Sequence, residues 1–321
     1  MDRDDPAVRW LLERKDPSVR VLALTDLLGR TGRSHEVREA LARVPSDPRV
    51  RALLAGQRRD GGFGVHPYQK WTGAHWRLVS LVELGLPAGH PAALRAVETV
   101  LRWLGAPAHR KRILTLGGRV RRCASQEGNA LAVASRLGMA GNPRVRSLAE
   151  SLVEWQWPDG GWNCDKDPHA DHSSFYETLA PTWGLLEHYR ATGDRDALIA
   201  AERARELFLR HRLFRSEETG DVIDTGWLKL HYPLYWHYDV LQALTILSRF
   251  GPLGDPRLQE ALDVLEGKRL PDGRWRAEAF YWRPPGRRRP HAEAVDWGRA
   301  GPNKMITLNA FRVLRAAGRV R

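Results

Sequence analysis

Cysteine is almost absent: the 321 residues contain two, Cys123 and Cys164. That excludes a disulfide framework, and a reducing cytoplasm is the compartment it predicts. Long apolar runs are missing as well. No stretch approaches the roughly 18 uninterrupted apolar residues of a membrane span, so no transmembrane segment is expected. The opening "MDRDDPAVRWLLERKD" is acidic and then mixed in charge, unlike a secretory signal. Negative charge is also short, with 38 Asp+Glu against 51 Lys+Arg and a net charge of +13. The excess is scattered as single arginines on predicted helix faces. Only "RPPGRRRPH" at 283–291 is a dense run, and it reads as a loop. No nucleic-acid module accompanies the charge, so nucleic acid is not an expected partner.

What the chain does have is a repeat. "GQRRDGGFG" (56–64), "WQWPDGGWN" (155–163) and "KRLPDGRWR" (268–276) each place an aromatic ring two residues after an Asp-Gly step: Phe63, Trp162 and Trp275. After each turn comes a mostly apolar helical segment, at 73–85, 173–189 and 303–318. Similar segments at 125–138, 235–251 and 18–29 bring the number to six. They are apolar nearly all round, as helices buried on both sides are. Between them, 90–105, 143–156 and 196–213 carry apolar residues on one face and arginines on the other. Buried helices alternating with half-buried ones predict an all-α chain. One (α/α)6 toroid, a double ring of inner and outer helices, spans 1–321 as a single domain. An open solenoid of helical pairs is the alternative.

At this point the sequence resembles the terpenoid cyclases and protein prenyltransferase β subunits. "QWPDGGW" at 156–162 is similar to the QW motif of the squalene–hopene cyclases, "QRRDGGF" at 57–63 is a close variant and "LPDGRW" at 270–275 a partial one. The resemblance assigns these residues a structural role, with the ring of each motif plugging a seam between helices. It implies an enzyme acting on a hydrophobic, isoprenoid substrate such as a prenyl diphosphate. The cyclase acid motif Asp-x-Asp-Asp has a literal match at Asp2–Asp5, outside the ring, where a frayed terminus gives a catalytic acid no buried site. Prenyltransferases hold zinc through an Asp, a Cys and a His. "FYET" at 175–178 places Glu177 at the histidine position, and "RRCASQEGN" at 121–129 places Cys123 near the cysteine, with Arg121 where the family has its Asp. No partner subunit is evident.

In such a toroid the ligand lies in a funnel at the N-terminal ends of the inner helices. Reading across those ends gives Glu177, His237, Glu127 and Asp239 as candidate catalytic groups. His75, Trp76, Tyr176, Tyr235, Trp236 and Lys304 are the candidate substrate-binding residues. His237 and Asp239 stand two apart, so on a helix at most one of them faces the funnel. The polar loop "CDKDPHADH" (164–172) adds metal-competent side chains, so a divalent metal (Zn or Mg) has Cys123, Cys164, Asp165 and His172 as candidate ligands. A plainer role exists for Glu177: with Ser174 as N-cap it closes a capping box at a helix start. The expectation is therefore a toroid enzyme of terpenoid cyclase or prenyltransferase type. The alternatives are a zinc-dependent enzyme of other chemistry and a non-catalytic binding ring.

Overall fold

A computed structural model describes residues 1–286 and 291–320, so residues 287–290 of the arginine-rich run at 283–291 lie outside the described residues. About 50% of the chain is helical and 5% lies in strands. Proline opens many of the helices, among them Pro6–Leu11, Pro17–Leu22, Pro48–Leu54, Pro91–Leu104 and Pro143–Glu154. At that position its missing N–H has no helical partner to lose. Side chains of Asp5, Asp47, Asn142, Asp194, Asp239 and Asn303 cap their helices by accepting first-turn N–H groups. Asp5 is the last residue of the Asp-x-Asp-Asp match, and this cap is what it does.

Six segments are buried nearly all round: Pro17–Leu22 running on into Ala23–Leu27, Ala74–Glu83, Ser125–Arg136, Phe175–Thr192, Val240–Leu247 and Lys304–Ala316. The amphipathic helices His35–Arg43, Pro48–Leu54, Pro91–Leu104, Pro143–Glu154, Arg195–Arg210 and Gln259–Gly267 lie between them in sequence. Contacts link Ala74–Glu83 to Ser125–Arg136, that helix to Phe175–Thr192, then Val240–Leu247, then Lys304–Ala316, and from there to 17–27. The two ends of the chain are also tied by charge. Lys304 Nζ lies 2.7 Å from Glu13, and Arg312 Nε donates to Asp26 at 2.8 Å. Ser125–Arg136 and Phe175–Thr192 approach backbone to backbone, where a Cβ on Gly184 would stand 2.4 Å from the Gly128 carbonyl oxygen. Only glycine allows that approach.

The repeated turns share one geometry. Gln57 donates to the carbonyls of Gly61 (3.0 Å) and Ala92 (2.8 Å), and Gln156 donates to those of Gly160 and Ala200 (both 2.8 Å). Each glutamine thereby fastens its own turn to the next amphipathic helix. Gly61, Gly160 and Gly273 all sit at positive φ (86°, 105° and 80°), which the turn requires. The plug indoles of Trp162 and Trp275 donate to carbonyls of the preceding helix, Leu152 at 2.9 Å and Leu265 at 2.8 Å. Their backbone N–H groups donate to Thr178 and Thr307, each the fourth residue of the following inner helix. In the first repeat that helix position is Arg77, whose guanidinium covers the Phe63 ring at 4.1 Å.

One helix is shorter than its sequence suggests. The apolar run 235–251 becomes helical only at Val240–Leu247, because the buried Asp239 caps it at Gln242 N–H (2.8 Å). His237 therefore sits in the loop before the helix, where helical spacing does not orient it. A two-stranded hairpin, Leu114–Leu116 with Arg119–Arg121, turns at Gly117-Gly118, both at positive φ.

Candidate metal centre

The hairpin places the first ligand. Its second strand runs on beside the turn that follows Trp162: Arg121 bridges Asn163, and Arg122 N–H donates to the Asn163 carbonyl at 3.0 Å. Cys123 and Cys164 are the next residues on the two segments, so their side chains meet. The third ligand comes from the helix to which this turn is tied. Trp162 N–H donates to Thr178 Oγ1 at 3.2 Å, and Ser174 N–H donates to the Trp162 carbonyl at 2.9 Å. Glu177 immediately precedes Thr178. One ligand atom from each of Cys123, Cys164 and Glu177 lies within 4.8 Å of the others.

Glu177 does not close a capping box. Ser174 makes no side-chain cap bond, and the Glu177 carboxylate crosses to the neighbouring helix. There Oε2 accepts Ser125 N–H at 3.0 Å, while Oε1 accepts the Cys164 thiol at 3.6 Å. Burial pushes the Glu177 carboxyl above the usual carboxylate range. The two neighbouring sulfurs act on each other, which draws Cys123 down and pushes Cys164 up; burial and the Glu177 charge push Cys164 further. Arg122 also favours the Cys123 thiolate. A cation in place of the thiol protons suits this cluster. Tetrahedral zinc at its usual bond lengths of roughly 2.0–2.3 Å sets neighbouring ligand atoms about 3.5–3.8 Å apart. The sulfur–oxygen separation here already matches, and two sulfurs favour zinc over magnesium.

The other expected site residues are placed as follows. Glu127 is buried one turn into the Ser125–Arg136 helix, but its oxygens are taken by Arg122 Nε (3.0 and 3.1 Å) and Nη2 (2.5 Å), with His109 Nε2 at 3.4 Å. Asp239 is fully buried, caps its helix and pairs with His231 Nδ1 at 2.6 Å. Asp165 and His172 lie away from the cluster. Both are exposed, Asp165 accepting Asp167 N–H in a loop turn and His172 pairing with Asp171. Lys304 is largely buried and pairs with Glu13 and Asp16.

His75 is buried between Tyr68, Trp76 and Trp103, and burial pushes it down to about 3. Trp76 is buried, its indole donating to the Tyr68 carbonyl at 3.3 Å. Tyr235 stacks on Trp71 and donates to Glu293. Trp236 and Tyr281 sandwich His237, with ring centroids at 4.0 and 3.4 Å, and Tyr176 accepts the Trp227 indole N–H at 2.9 Å. These aromatics fill the N-terminal ends of the inner helices. The cavity among Val79, Asn129, Tyr176, Trp183, Trp236 and Ile246 measures about 20 Å³. Packed rings thus fill the space beneath Tyr176 and Trp236, while a more open cavity of about 510 Å³ borders His237, Phe280, Tyr281, Trp282 and Arg299. A cavity of about 890 Å³ lies at the opposite, C-terminal ends of the inner helices.

Tyr68 was not legible as a site residue. Its phenol is pushed up by burial and by the Glu177 and Cys123 charges, with Gln126 as its hydrogen-bond partner. It lies in the irregular loop before Ala74–Glu83, outside any motif; only its place just ahead of a buried helix marked it. No protein-family model matches the chain, and no curated protein matches it.

Proposed function

We propose that the chain is an α/α-toroid enzyme, of the terpenoid cyclase and prenyltransferase class of fold, whose active centre is zinc held by Cys123, Cys164 and Glu177. The convergence of those three side chains from three separate segments carries the reading. Support for the ring comes from the shared geometry of the Asp-Gly turns and from the contacts that lead back from the last inner helix to 17–27. Three protein ligands leave one tetrahedral position for a substrate sulfur or oxygen, and a bound zinc ion lowers the pKa of such a group to make it a nucleophile. The chain's own part is to hold the donors. Ser125 N–H fixes the Glu177 carboxylate, and the Arg122 charge favours the Cys123 thiolate.

The cluster of two thiols and one carboxylate favours this chemistry over acid-initiated cyclisation of a long isoprenoid, because the Asp-x-Asp-Asp match ends in Asp5, a helix cap. The substrate in this reading is a hydrophobic molecule bearing a thiol or hydroxyl, taken up at the Cys123–Cys164 face beside Tyr68. Metal content of the protein purified under reducing conditions tests it. One zinc per chain is expected, reduced to background by Cys123→Ser and by Cys164→Ser. A metal-free wild type that takes up no added zinc overturns it.

A further inference from the structure

The cavity of about 890 Å³ is unlike the aromatic end of the molecule. Five arginines border it: Arg136, Arg190, Arg249, Arg312 and Arg315. Among the described residues, three carboxylates answer them by hydrogen bonds. Arg249 bonds Glu187 (2.8 Å) and Glu83 (3.1 Å), and Arg312 bonds Asp26 (2.8 Å). Helix C-termini favour cations, and that accounts for two more: Arg190 donates to the Arg249 carbonyl and Arg315 to the Asp26 carbonyl.

Arg136 is left over. Its guanidinium makes no hydrogen bond among the described residues. Its nearest carboxylate oxygen is on Glu187, 3.8 Å away and already bonded to Arg249. Burial and the neighbouring Arg249 push its pKa below the usual guanidinium range. Its side chain is nevertheless 32% exposed, and that exposure opens on the cavity. A guanidinium crowded by like charges in a large concave site has donors to spare for a phosphate-like group.

We propose that this cavity is a binding site for a compact polyanion of the phosphate class, recognised by Arg136 with Arg190 beside it. The site lies at the opposite ends of the inner helices from the thiolate cluster and does not depend on the metal assignment. Titration calorimetry with inorganic pyrophosphate at low salt tests it on the full chain. Saturable binding of one pyrophosphate is expected, weakening at least tenfold in Arg136→Gln and unchanged in Cys123→Ser. The melting temperature of Arg136→Gln without pyrophosphate should equal or exceed that of the wild type. Should this variant fail to fold, Arg190→Gln supplies the same comparison. The inference is overturned by an absence of saturable binding to the wild type, by equal affinity in the folded arginine variant, or by loss of binding in Cys123→Ser alone.

Discussion

At the residue scale, Glu177 distinguishes a ligand from a cap. Its carboxylate reaches Ser125 N–H and the Cys164 thiol, and an amide in its place keeps the first contact while offering a metal a poorer donor. Glu177→Gln should weaken zinc binding tenfold or more, with the metal-free melting temperature nearly unchanged; zinc titration against a competing chelator reads both forms. A second residue prediction concerns His75. Unfolded, its imidazole takes up a proton near pH 6.5; folded, not until about 3. Between these values the unfolded chain holds the extra proton, so stability falls as pH falls, by about 1.4 kcal/mol per pH unit for one such group. His75→Leu should flatten the dependence of unfolding free energy on pH between roughly 6 and 4, as urea titrations at several pH values would show. The three metal-competent residues were individually legible, because cysteine is rare and a carboxylate at the start of an apolar helix is costly. The resemblance paired Cys123 with Glu177 and the candidate ligand set paired Cys123 with Cys164, but the grouping of all three was not legible. It depends on the pairing of Arg121 with Asn163, 42 positions apart in number, which no local spacing announces. The partners of Asp239 and Lys304, namely His231, Glu13 and Asp16, were not legible for the same reason, since tertiary packing sets them.

At the scale of elements, the periodic apolar runs gave the helices and the Asp-Gly turns gave the junctions between them. The start of the fifth inner helix was misjudged, because the aromatic residues 235–238 continue the apolar pattern while the Asp239 cap fixes the helix start after them. The turns themselves make a quantitative prediction. Trp162 is buried, and its indole and backbone N–H both have protein acceptors. Trp162→Ala should destabilise the chain by about 3–5 kcal/mol, as expected for a large buried aromatic. Thr178→Val leaves the Trp162 N–H without its acceptor at nearly constant volume and should cost about 1–3 kcal/mol. Chemical denaturation measures both; a Trp162→Ala protein as stable as the parent would contradict the plug.

For the whole molecule, no described helix is long and apolar enough to cross a membrane. Contacts from Lys304–Ala316 to 17–27 and the Arg312–Asp26 ion pair bring the two ends of the chain together. A closed ring of 321 residues should scatter X-rays with a radius of gyration of about 20 Å; an open solenoid would be more extended. The proposed function rests on a smaller part of the molecule, the meeting of two thiols and one carboxylate. Titration of the reduced protein with Co²⁺, read by absorption, tests that most directly. The account predicts one cobalt per chain, tetrahedral d–d bands, and a sulfur-to-metal charge-transfer band that weakens in Cys123→Ser and again in Cys164→Ser. A titration with no thiolate band, or with a band that both single variants leave intact, would contradict it.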